Sequence, residues 1–530
     1  MFVSIFISVC LIVVFIFYRQ HVQEKRVKYF KDRGIVMQKS EFFIKELWTV
    51  LTNNITLLIN QMYEKYKSER IIGFFNSGIP QCFVLDPVII KQITVKDFDH
   101  FVDHLSFLDF YHDPFFGNTL ISLKGKRWRD MRSSLSPAFT GSKMRSMFQL
   151  VQQCSQQMAQ YFLEQCNQNG PHSYDMKDIY SKFTNDVIAS CAFGLKCDTF
   201  REPENEFFKI GKKVANFQSP WNLFKLIIYR MIPFRNVAKL LDVKLLDDKS
   251  RNTFTKIIFT SMKTREERKI FRPDMINLLM ELKKGQLQAS AEIEANKSIA
   301  AVDEHINLST EPKQTWTDDE LISQCFIFFL AGFDTSSTLM TFTAYELALN
   351  PNVQTKLLEE IDRINIDLAG KPLDYDHLQS MTYMDMVITE TLRKWPPVAI
   401  TDRLCIRDYN YQGEDGFQFR IEKGTDLLIP IYSLQSDPEY FPEPDKFHPE
   451  RFSSDSKSSV NLGVYIPFGI GPRNCIGSRF ALMETKSIIY HLLLNFTFDL
   501  CEKTQIPIKL KNTMGGVLPD KAEILLRPRH

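Results

Sequence analysis

The chain has 530 residues, of which 44% are hydrophobic and 24% are charged, a composition typical of a globular protein large enough for more than one domain. The formal net charge is only +2, so no overall positive field favours nucleic acid, and we expect no nucleic-acid partner. The 10 cysteines are scattered without a CxxC pair, which argues against a disulfide framework and against a zinc cluster.

The N-terminal segment MFVSIFISVCLIVVFIFY carries no charge over 18 residues, the lower limit for a membrane-spanning helix. It lacks the basic start and the small-residue cleavage site of a secretory signal peptide, which is the alternative interpretation. Six basic residues follow by position 33, and the positive-inside rule then places the remaining chain in the cytosol. We predict a membrane anchor over 1–18, a basic linker over 19–40 and one large domain over 41–530.

The large domain is predicted to be mainly α-helical with small β-sheets. The clearest strand candidates are apolar runs at residues 70–75, 81–85 and 426–432. Residues 286–315 are polar and amide-rich and are predicted to form an exposed loop. Residues 219–234 are apolar with a few basic side chains, which fits either a core helix or a segment that contacts the membrane surface.

A long helix is predicted from a capping box at Thr317–Glu320, where the threonine caps a backbone N–H and the glutamate reaches back. The helical pattern continues for about thirty residues, or roughly 45–50 Å, until Asn350 and Pro351 end it. Residues 325–331 are apolar on every face, so this turn is expected to lie inside the protein. The helix should therefore cross the middle of the domain.

The motif AGFDTSS, residues 331–337, interrupts this apolar helix with Asp334 and Thr335. A threonine within a helix often donates to the carbonyl four residues earlier, here that of Ala331, and bends the helix. An acid beside an alcohol suits a proton relay to a cofactor bound at the bend. The alternative is a simple kink with solvated polar groups.

Two further segments provide charges that can hold a loop. Glu390 and Arg393 in TETLRKWPP lie on one helix face, and apolar neighbours indicate that the pair is buried. Arg451, in the segment PERF, is a second cation for Glu390. Each piece alone is weak, because ExxR arises by chance in many helices.

The segment FGIGPRNCIG, residues 468–477, places Cys475 directly before a strongly predicted helix. The positive end of the helix dipole and the cation Arg473 should stabilise a thiolate, and Gly469, Gly471 and Gly477 should let the loop turn tightly. A thiolate serves as a nucleophile or as a metal ligand. No cysteine-protease signature accompanies it, so we favour a metal, and a single protein ligand fits a haem iron.

Together these segments resemble the cytochrome P-450 haem-thiolate monooxygenases, with finer features similar to the insect family-nine enzymes. Five motifs occur in family order: WRDMR from Trp128, AGFDTSS, ETLR, PERF and the cysteine loop. The resemblance implies the cytochrome P-450 fold, with haem between a long central helix and the cysteine-ligand loop. The proline-rich hinge that usually follows the anchor is absent, since the first proline is Pro80.

The resemblance also implies residue roles. Cys475 would be the axial thiolate ligand of haem b, and Asp334 with Thr335 would supply protons for dioxygen activation. The remaining cofactor-binding residues would be Trp128, Arg132, Arg403, Phe468, Arg473 and Gly477. The ion network would be Glu390, Arg393 and Arg451, and the substrate pocket would include Leu330, Ala331 and Val398, for which core packing is nearly as good an explanation.

The implied function is an NADPH-driven monooxygenase that oxidises lipophilic substrates, expected to be xenobiotics such as plant toxins and insecticides or endogenous lipids. NADPH–cytochrome P-450 reductase would supply electrons at the endoplasmic reticulum membrane, with cytochrome b-five as an optional second partner. Two alternatives keep the fold: a peroxide isomerase or dehydratase that needs no redox partner, and a non-catalytic haem-binding protein. Such isomerases usually lack the acid–alcohol pair, so Asp334 and Thr335 favour the monooxygenase.

Overall fold

The computed structural model describes residues 20–38, 54–76, 79–105, 113–215, 247–284, 316–453, 463–511 and 516–529. The predictions for the anchor, for 219–234 and for 286–315 lie outside these residues. The described chain is mainly helical with small sheets, which confirms the predicted fold class. It forms two compact units, a small unit from residues up to 105 together with 400–430, and a large unit from 106–399 together with 431–530.

The small unit is built around a mixed five-stranded sheet, in the order Val36–Met37, Ile71–Asn76, Ile79–Val84, Asp426–Ile429 and Thr401–Leu404. A second sheet pairs Tyr409–Gln412 with Gln418–Ile421. Its helical segments are 20–31, Ile55–Tyr66, Pro87–Lys91, Gln92–Lys96 and Phe98–His100.

All three predicted strands are present in the five-stranded sheet, with shifted ends. The third ends at Ile429 rather than at residue 432. Pro430 follows it, and a proline has no backbone N–H to continue the ladder. Residues Ile431–Gln435 form a helix instead. The segment predicted as a basic linker contains the helix over 20–31 and the first strand of the sheet.

The large unit holds most of the helices. They are Pro114–Gly117, Gly125–Leu135, Gly141–Asn169, Met176–Phe193, Glu206–Ala215, Asp248–Arg268, Met275–Lys283, Asp318–Leu349, Pro351–Asp367, Tyr375–Ser380, Thr382–Lys394, Ile431–Gln435 and Ser478–Asn495. Short 3-10 turns occur at Ser136–Phe139 and Pro449–Phe452. A three-stranded antiparallel sheet completes this unit, in the order His172–Asp175, Glu523–Pro528 and Phe496–Asp499.

The helix Asp318–Leu349, here called the central helix, begins with the predicted capping box. Thr317 Oγ1 accepts from the Glu320 N–H at 3.3 Å, and the Glu320 carboxylate accepts from the Thr317 N–H at 2.9 Å. The helix is long and apolar enough to cross a bilayer, but 67% of its most apolar window is buried by protein. It is therefore a core helix, and it packs most extensively against Met176–Phe193.

Aromatic rings form the core around the first half of the central helix. Phe329 contacts four other rings edge-on or tilted, with centroids 5.0 to 6.1 Å apart, and these belong to Phe193, Phe207, Phe254 and Phe333. Such geometry adds to the stabilisation from burying each ring. The chain has 44 phenylalanines, and these rings place part of that number in an aromatic interior of the large unit.

Candidate active site

The predicted cysteine segment, residues 468–477, forms a tight loop that we call the ligand loop. The Cys475 N–H donates to the Phe468 carbonyl at 2.8 Å and closes it. Gly469 and Gly471 have φ of 75° and 74°, a left-handed conformation that favours glycine. Gly477 has φ of −92°, a conformation open to any residue, so its backbone angle does not require glycine.

Cys475 differs from the other eight cysteines in the described part of the chain, because it is the exposed one. It lies just before the helix Ser478–Asn495, here called the ligand helix, whose N-terminus has no side-chain cap. The thiol is therefore placed at the positive end of a helix, which favours a thiolate. In contrast, burial raises the pKa of the Cys82 and Cys325 thiols.

Two buried arginines stabilise the ligand loop, Arg473 from within it and Arg132 from the helix Gly125–Leu135. Arg132, which is 2% exposed, donates to the carbonyl of Asn474 at 2.9 Å and to its side-chain oxygen at 2.7 Å. The Arg473 guanidinium lies 3.9 Å from the centroid of the buried Trp128 ring. Trp128 and Arg132 stand one turn apart on the helix Gly125–Leu135, so this helix brings both to the loop.

Arg473 also ties the ligand loop to the chain that leads into this helix. It donates to the carbonyls of Leu120 and Leu123 at 3.3 and 2.8 Å. The N–H of Leu120 in turn donates to the side chain of Gln324 on the central helix at 2.9 Å. Gln324 was not singled out from the sequence, where it stands as one amide beside an apolar run.

Arg403 lies on the strand Thr401–Leu404 of the small unit and is fully buried. Burial lowers the pKa of its guanidinium to about 10, and the neighbouring Asp402 only partly opposes this. A buried cation of this kind is stabilised by an anion brought close to it.

The structure brings Glu390, Arg393 and Arg451 together. Glu390 accepts from Arg393 Nε and Nη2 at 2.7 and 3.0 Å, and from Arg451 Nε at 3.3 Å. Its Oε1 also accepts from the N–H of His448 at 3.0 Å. Glu390 and Arg393 are both fully buried, as their apolar neighbours predicted.

Gln435 joins this ion network to the ligand loop, and it carries no sequence motif. Arg393 Nη1 donates to the Gln435 carbonyl at 2.9 Å. The Gln435 amide donates to the carbonyls of Leu392 and Arg393, each at 2.9 Å, and its side-chain oxygen accepts from the Ile466 N–H at 3.0 Å. The charges of Glu390 and Arg393 thus fix the chain that enters the ligand loop.

On the central helix, the Thr335 hydroxyl donates to the Ala331 carbonyl at 2.6 Å, as predicted. The expectation that residues 325–331 are enclosed holds at Cys325, Phe326 and Ile327 but fails at Ala331, which is exposed. The helix is apolar on all sides there, yet the described protein does not cover the face that carries Ala331.

The Asp334 carboxylate has a partner that the sequence did not predict. Lys177 Nζ lies 2.8 Å from Asp334 Oδ1 and also donates to the hydroxyls of Ser337 and Thr338 at 2.7 and 2.9 Å. Burial lowers the pKa of Lys177, and the charge of Asp334 opposes that effect. The Asp334 carboxylate therefore forms an ion pair with an ammonium group on the helix Met176–Phe193.

The three predicted pocket residues differ in exposure. Leu330 is half-buried beside the exposed Ala331 on the central helix. Val398 is 42% exposed and follows the helix Thr382–Lys394. Its backbone forms an isolated antiparallel β-bridge with Gly516. Of these, Leu330 and Ala331 share one helix with Asp334 and Thr335.

The donor set around the ligand loop fits a haem. An exposed thiol at a helix N-terminus is a suitable single protein ligand for haem iron. Arg132 and Arg473, both less than a tenth exposed, are cations suited to carboxylate groups such as those of the macrocycle. The left-handed glycines at 469 and 471 leave the loop compact beside its thiol.

Comparison with known proteins agrees with this geometry. The pattern of the family described as Cytochrome P450 matches residues 38–526, so the chain belongs to the cytochrome P450 family. Within it, the chain is similar to insect family-nine enzymes. "Probable cytochrome P450 9f2" of Drosophila melanogaster is 40% identical over 91% of both chains. "Cytochrome P450 9e2" of Blattella germanica is also 40% identical, over 91% of this chain and 90% of the relative. "Cytochrome P450 6k1" of Blattella germanica is 34% identical over 94% of this chain and 93% of the relative.

The predicted family, enzyme class and haem-thiolate cofactor are therefore confirmed. The protein is a cytochrome P450 monooxygenase, and this class implies a reductase as the source of electrons.

Proposed function

We propose that this cytochrome P450 oxidises lipophilic small molecules, with xenobiotics such as plant toxins and insecticides as the expected substrates and endogenous lipids as the alternative. The observation that carries the proposal is the apolar stretch of the central helix that ends in the exposed Ala331, four residues before Thr335. An apolar surface beside a proton-donating hydroxyl suits a ligand without charge.

The side chains around the ligand loop would bind the haem, and those on the central helix would transfer protons. When bound, the haem supplies the activation of dioxygen, and Cys475 is its thiolate ligand. Arg132, Arg473 and Arg403, with Trp128, would hold the propionate carboxylates. Thr335 Oγ1 would pass on the proton that it now donates to the Ala331 carbonyl. The Asp334 carboxylate would accept a proton from solvent and pass it to Thr335 as the replacement.

Three supporting assignments complete the proposal. Phe468 and Gly477 would contact the cofactor from the ends of the ligand loop, and Phe468 also accepts the bond that closes it. Leu330, Ala331 and Val398 would line the substrate pocket. Lys177 would orient the Asp334 carboxylate and hold it in place between turnovers.

The decisive experiment combines the purified enzyme with NADPH–cytochrome P-450 reductase, NADPH and a panel of lipophilic compounds. Substrate-binding difference spectra select the ligands, and product and NADPH consumption are then measured for each. We expect turnover that depends on substrate and on reductase. Product formed from an organic peroxide without reductase would instead support the isomerase alternative, and ligand binding without NADPH consumption would support a non-catalytic haem protein.

Replacing Thr335 by valine should misroute electrons without stopping their arrival. Valine keeps the shape of the side chain but removes the hydroxyl, so proton delivery would fail while electron supply continues. We expect NADPH consumption to persist, product per NADPH to fall by about tenfold or more, and hydrogen peroxide to rise by a matching amount.

Thr335→Ser is the matched control, because it keeps the hydroxyl and should stay close to the parent enzyme. Unchanged product per NADPH and unchanged peroxide in Thr335→Val would show that the hydroxyl only caps the helix bend.

We also propose that the protein is anchored in the endoplasmic reticulum membrane by residues 1–18, with the catalytic part in the cytosol. The charge-free segment and the basic residues after it support this. Cytochrome b-five would be an optional second electron donor.

Deletion of residues 1–18 should weaken membrane retention while leaving the carbon monoxide spectrum of the reduced enzyme intact. The measurement is the fraction of protein that sediments with membranes. Partial retention is expected if 219–234 also contacts lipid. Full solubility after this deletion would argue against the second contact, and unchanged retention would contradict the anchor.

A further inference from the structure

The helix over residues 20–31 begins two positions after the charge-free segment 1–18, in the part of the chain that was predicted to be a basic linker. It is here called the linker helix. One side of it packs on the small unit and the other side is exposed, so its basic residues are divided between two environments.

The inner side of the linker helix is held by the strand Ile71–Asn76. Phe30 is 1% exposed, and a Cβ at Gly73 would lie 2.3 Å from an atom of its ring, so the missing side chain at position 73 makes room for Phe30. The Phe30 ring also packs edge-on against Tyr29 and Phe75, with centroids 5.1 and 5.2 Å away. The Arg26 guanidinium lies 5.1 Å from the centroid of Phe75. Burial of Phe30 therefore fixes the helix on the sheet.

Arg33 fixes the chain just after the linker helix. Its guanidinium forms an ion pair with Glu422 and lies 3.6 Å from the centroid of the Tyr29 ring. The Tyr29 hydroxyl donates to the same carboxylate at 3.0 Å. The hydrogen bond from Arg33 holds the pKa of Glu422 below its usual value. The Arg33 carbonyl accepts from the N–H of Arg420 at 3.0 Å, so side chain and main chain both join this segment to the small unit.

The outer side of the linker helix carries three exposed lysines, Lys25, Lys28 and Lys31. Residues three apart are neighbours on a helix surface, so these ammonium groups share one face, opposite Phe30. Glu24 is the one acid in this helix. The three lysines span about 9 Å along the axis, which is close to the distance over which charges act at physiological salt, about 8 Å. An anionic surface near one of them would therefore attract all three.

We propose that the linker helix lies between the small unit and the membrane, with Phe30 docked on the sheet and Lys25, Lys28 and Lys31 bound to anionic lipid headgroups. Basic segments next to a membrane anchor are attracted to anionic lipids of the cytosolic leaflet. Because the helix is docked, its three lysines face one way and orient the small unit at the lipid surface. The lipid contact rests on the proposed anchor, whereas the docking does not.

The lipid contact can be tested by labelling the full chain with an amine-reactive reagent in two kinds of nanodisc. One kind contains phosphatidylcholine alone, and the other replaces a minority of it with phosphatidylserine. Mass spectrometry gives the labelling rate of each lysine. We expect Lys25, Lys28 and Lys31 to label about fivefold more slowly in the anionic discs, and about 1 M salt to remove the difference. Lys446 of the large unit, 68% exposed, is the internal control and should label equally in both.

Equal labelling of the three lysines in both discs, with deletion of 1–18 still releasing the protein from membranes, would overturn the lipid contact and leave the anchor standing. Protected lysines together with unchanged retention after that deletion would support the lipid contact and contradict the anchor. Protection that requires added reductase rather than phosphatidylserine would identify a protein as the occupant of this face and overturn the proposal.

The docking of the linker helix is tested separately, by hydrogen exchange of the full chain in detergent. Amides of residues 24–33 should be protected, and Phe30→Ala should speed their exchange by at least about tenfold, because it empties a buried site. Arg33→Ala removes the ion pair with Glu422 and should also speed exchange, which keeps the test if Phe30→Ala does not fold. Lys28→Ala, on the outer side, is the matched control and should change nothing. Fast exchange in the parent enzyme, or equal exchange in all three variants, would overturn the docking.

Discussion

Cys475→Ser should abolish the red-shifted Soret band that a thiolate-ligated haem gives when the reduced enzyme binds carbon monoxide. A serine hydroxyl is not appreciably ionised at neutral pH, so it cannot replace a thiolate at the N-terminus of the ligand helix. We expect complete loss of the band and of NADPH-dependent product, because no other exposed thiol lies in the described part of the chain. The measurement is the carbon monoxide difference spectrum of equal amounts of folded protein.

Cys501→Ser is the matched control. Its thiol is half-buried in the same unit and lies 3.4 Å from the Thr504 hydroxyl, a contact that a serine can reproduce. This variant should keep the full band. If another single cysteine substitution removed the band while Cys475→Ser retained it, the ligand assignment would be wrong.

Arg393→Ala should produce the largest loss of stability among single substitutions in the ion network. It leaves the fully buried Glu390 carboxylate without its bidentate partner and frees the carbonyls of Gln435 and Pro444. Removing one partner of a buried pair costs about 3–5 kcal/mol. We expect a loss of this size in denaturant unfolding, together with partial loss of the thiolate Soret band, because Gln435 connects the network to the ligand loop.

Arg145→Ala tests the same chemistry on the surface. Arg145 also forms a bidentate pair, with Asp376 at 2.6 and 2.8 Å, but the two side chains are 45% and 71% exposed. Exposed pairs contribute less than about 1 kcal/mol, so this variant should be nearly as stable as the parent enzyme. Arg393→Lys keeps the positive charge but lacks the paired N–H donors of a guanidinium. It should therefore recover only part of the stability that Arg393→Ala loses. Equal costs for Arg393→Ala and Arg145→Ala would refute the buried network as the support of the loop.

The features that the sequence predicted well are those with a local physical signature. The capping box at Thr317 and the bond from Thr335 to the Ala331 carbonyl involve residues three or four positions apart on one helix. Helix geometry alone brings such residues together. The thiol position followed from glycines and an adjoining helix in the same way.

The features that the sequence missed join residues that lie far apart in the chain. Lys177 and Asp334 are 157 residues apart, and Gln435 reaches main-chain atoms that no residue type reveals. Gln324 stands beside an apolar run, with no spacing that identifies a partner. At Gly477 the sequence suggested a conformational role that its φ of −92° does not require.

The contacts of Arg451 and Arg393 have a consequence for how this protein family can vary. Arg451 donates to the carbonyls of Pro442 and Glu443, and Arg393 donates to that of Pro444. A carbonyl belongs to any residue, so these bonds place little demand on which side chains occupy 442–444. An inserted or deleted residue, however, would shift the oxygens away from both guanidinium groups. Substitutions in this segment should therefore be tolerated, whereas insertions and deletions should not.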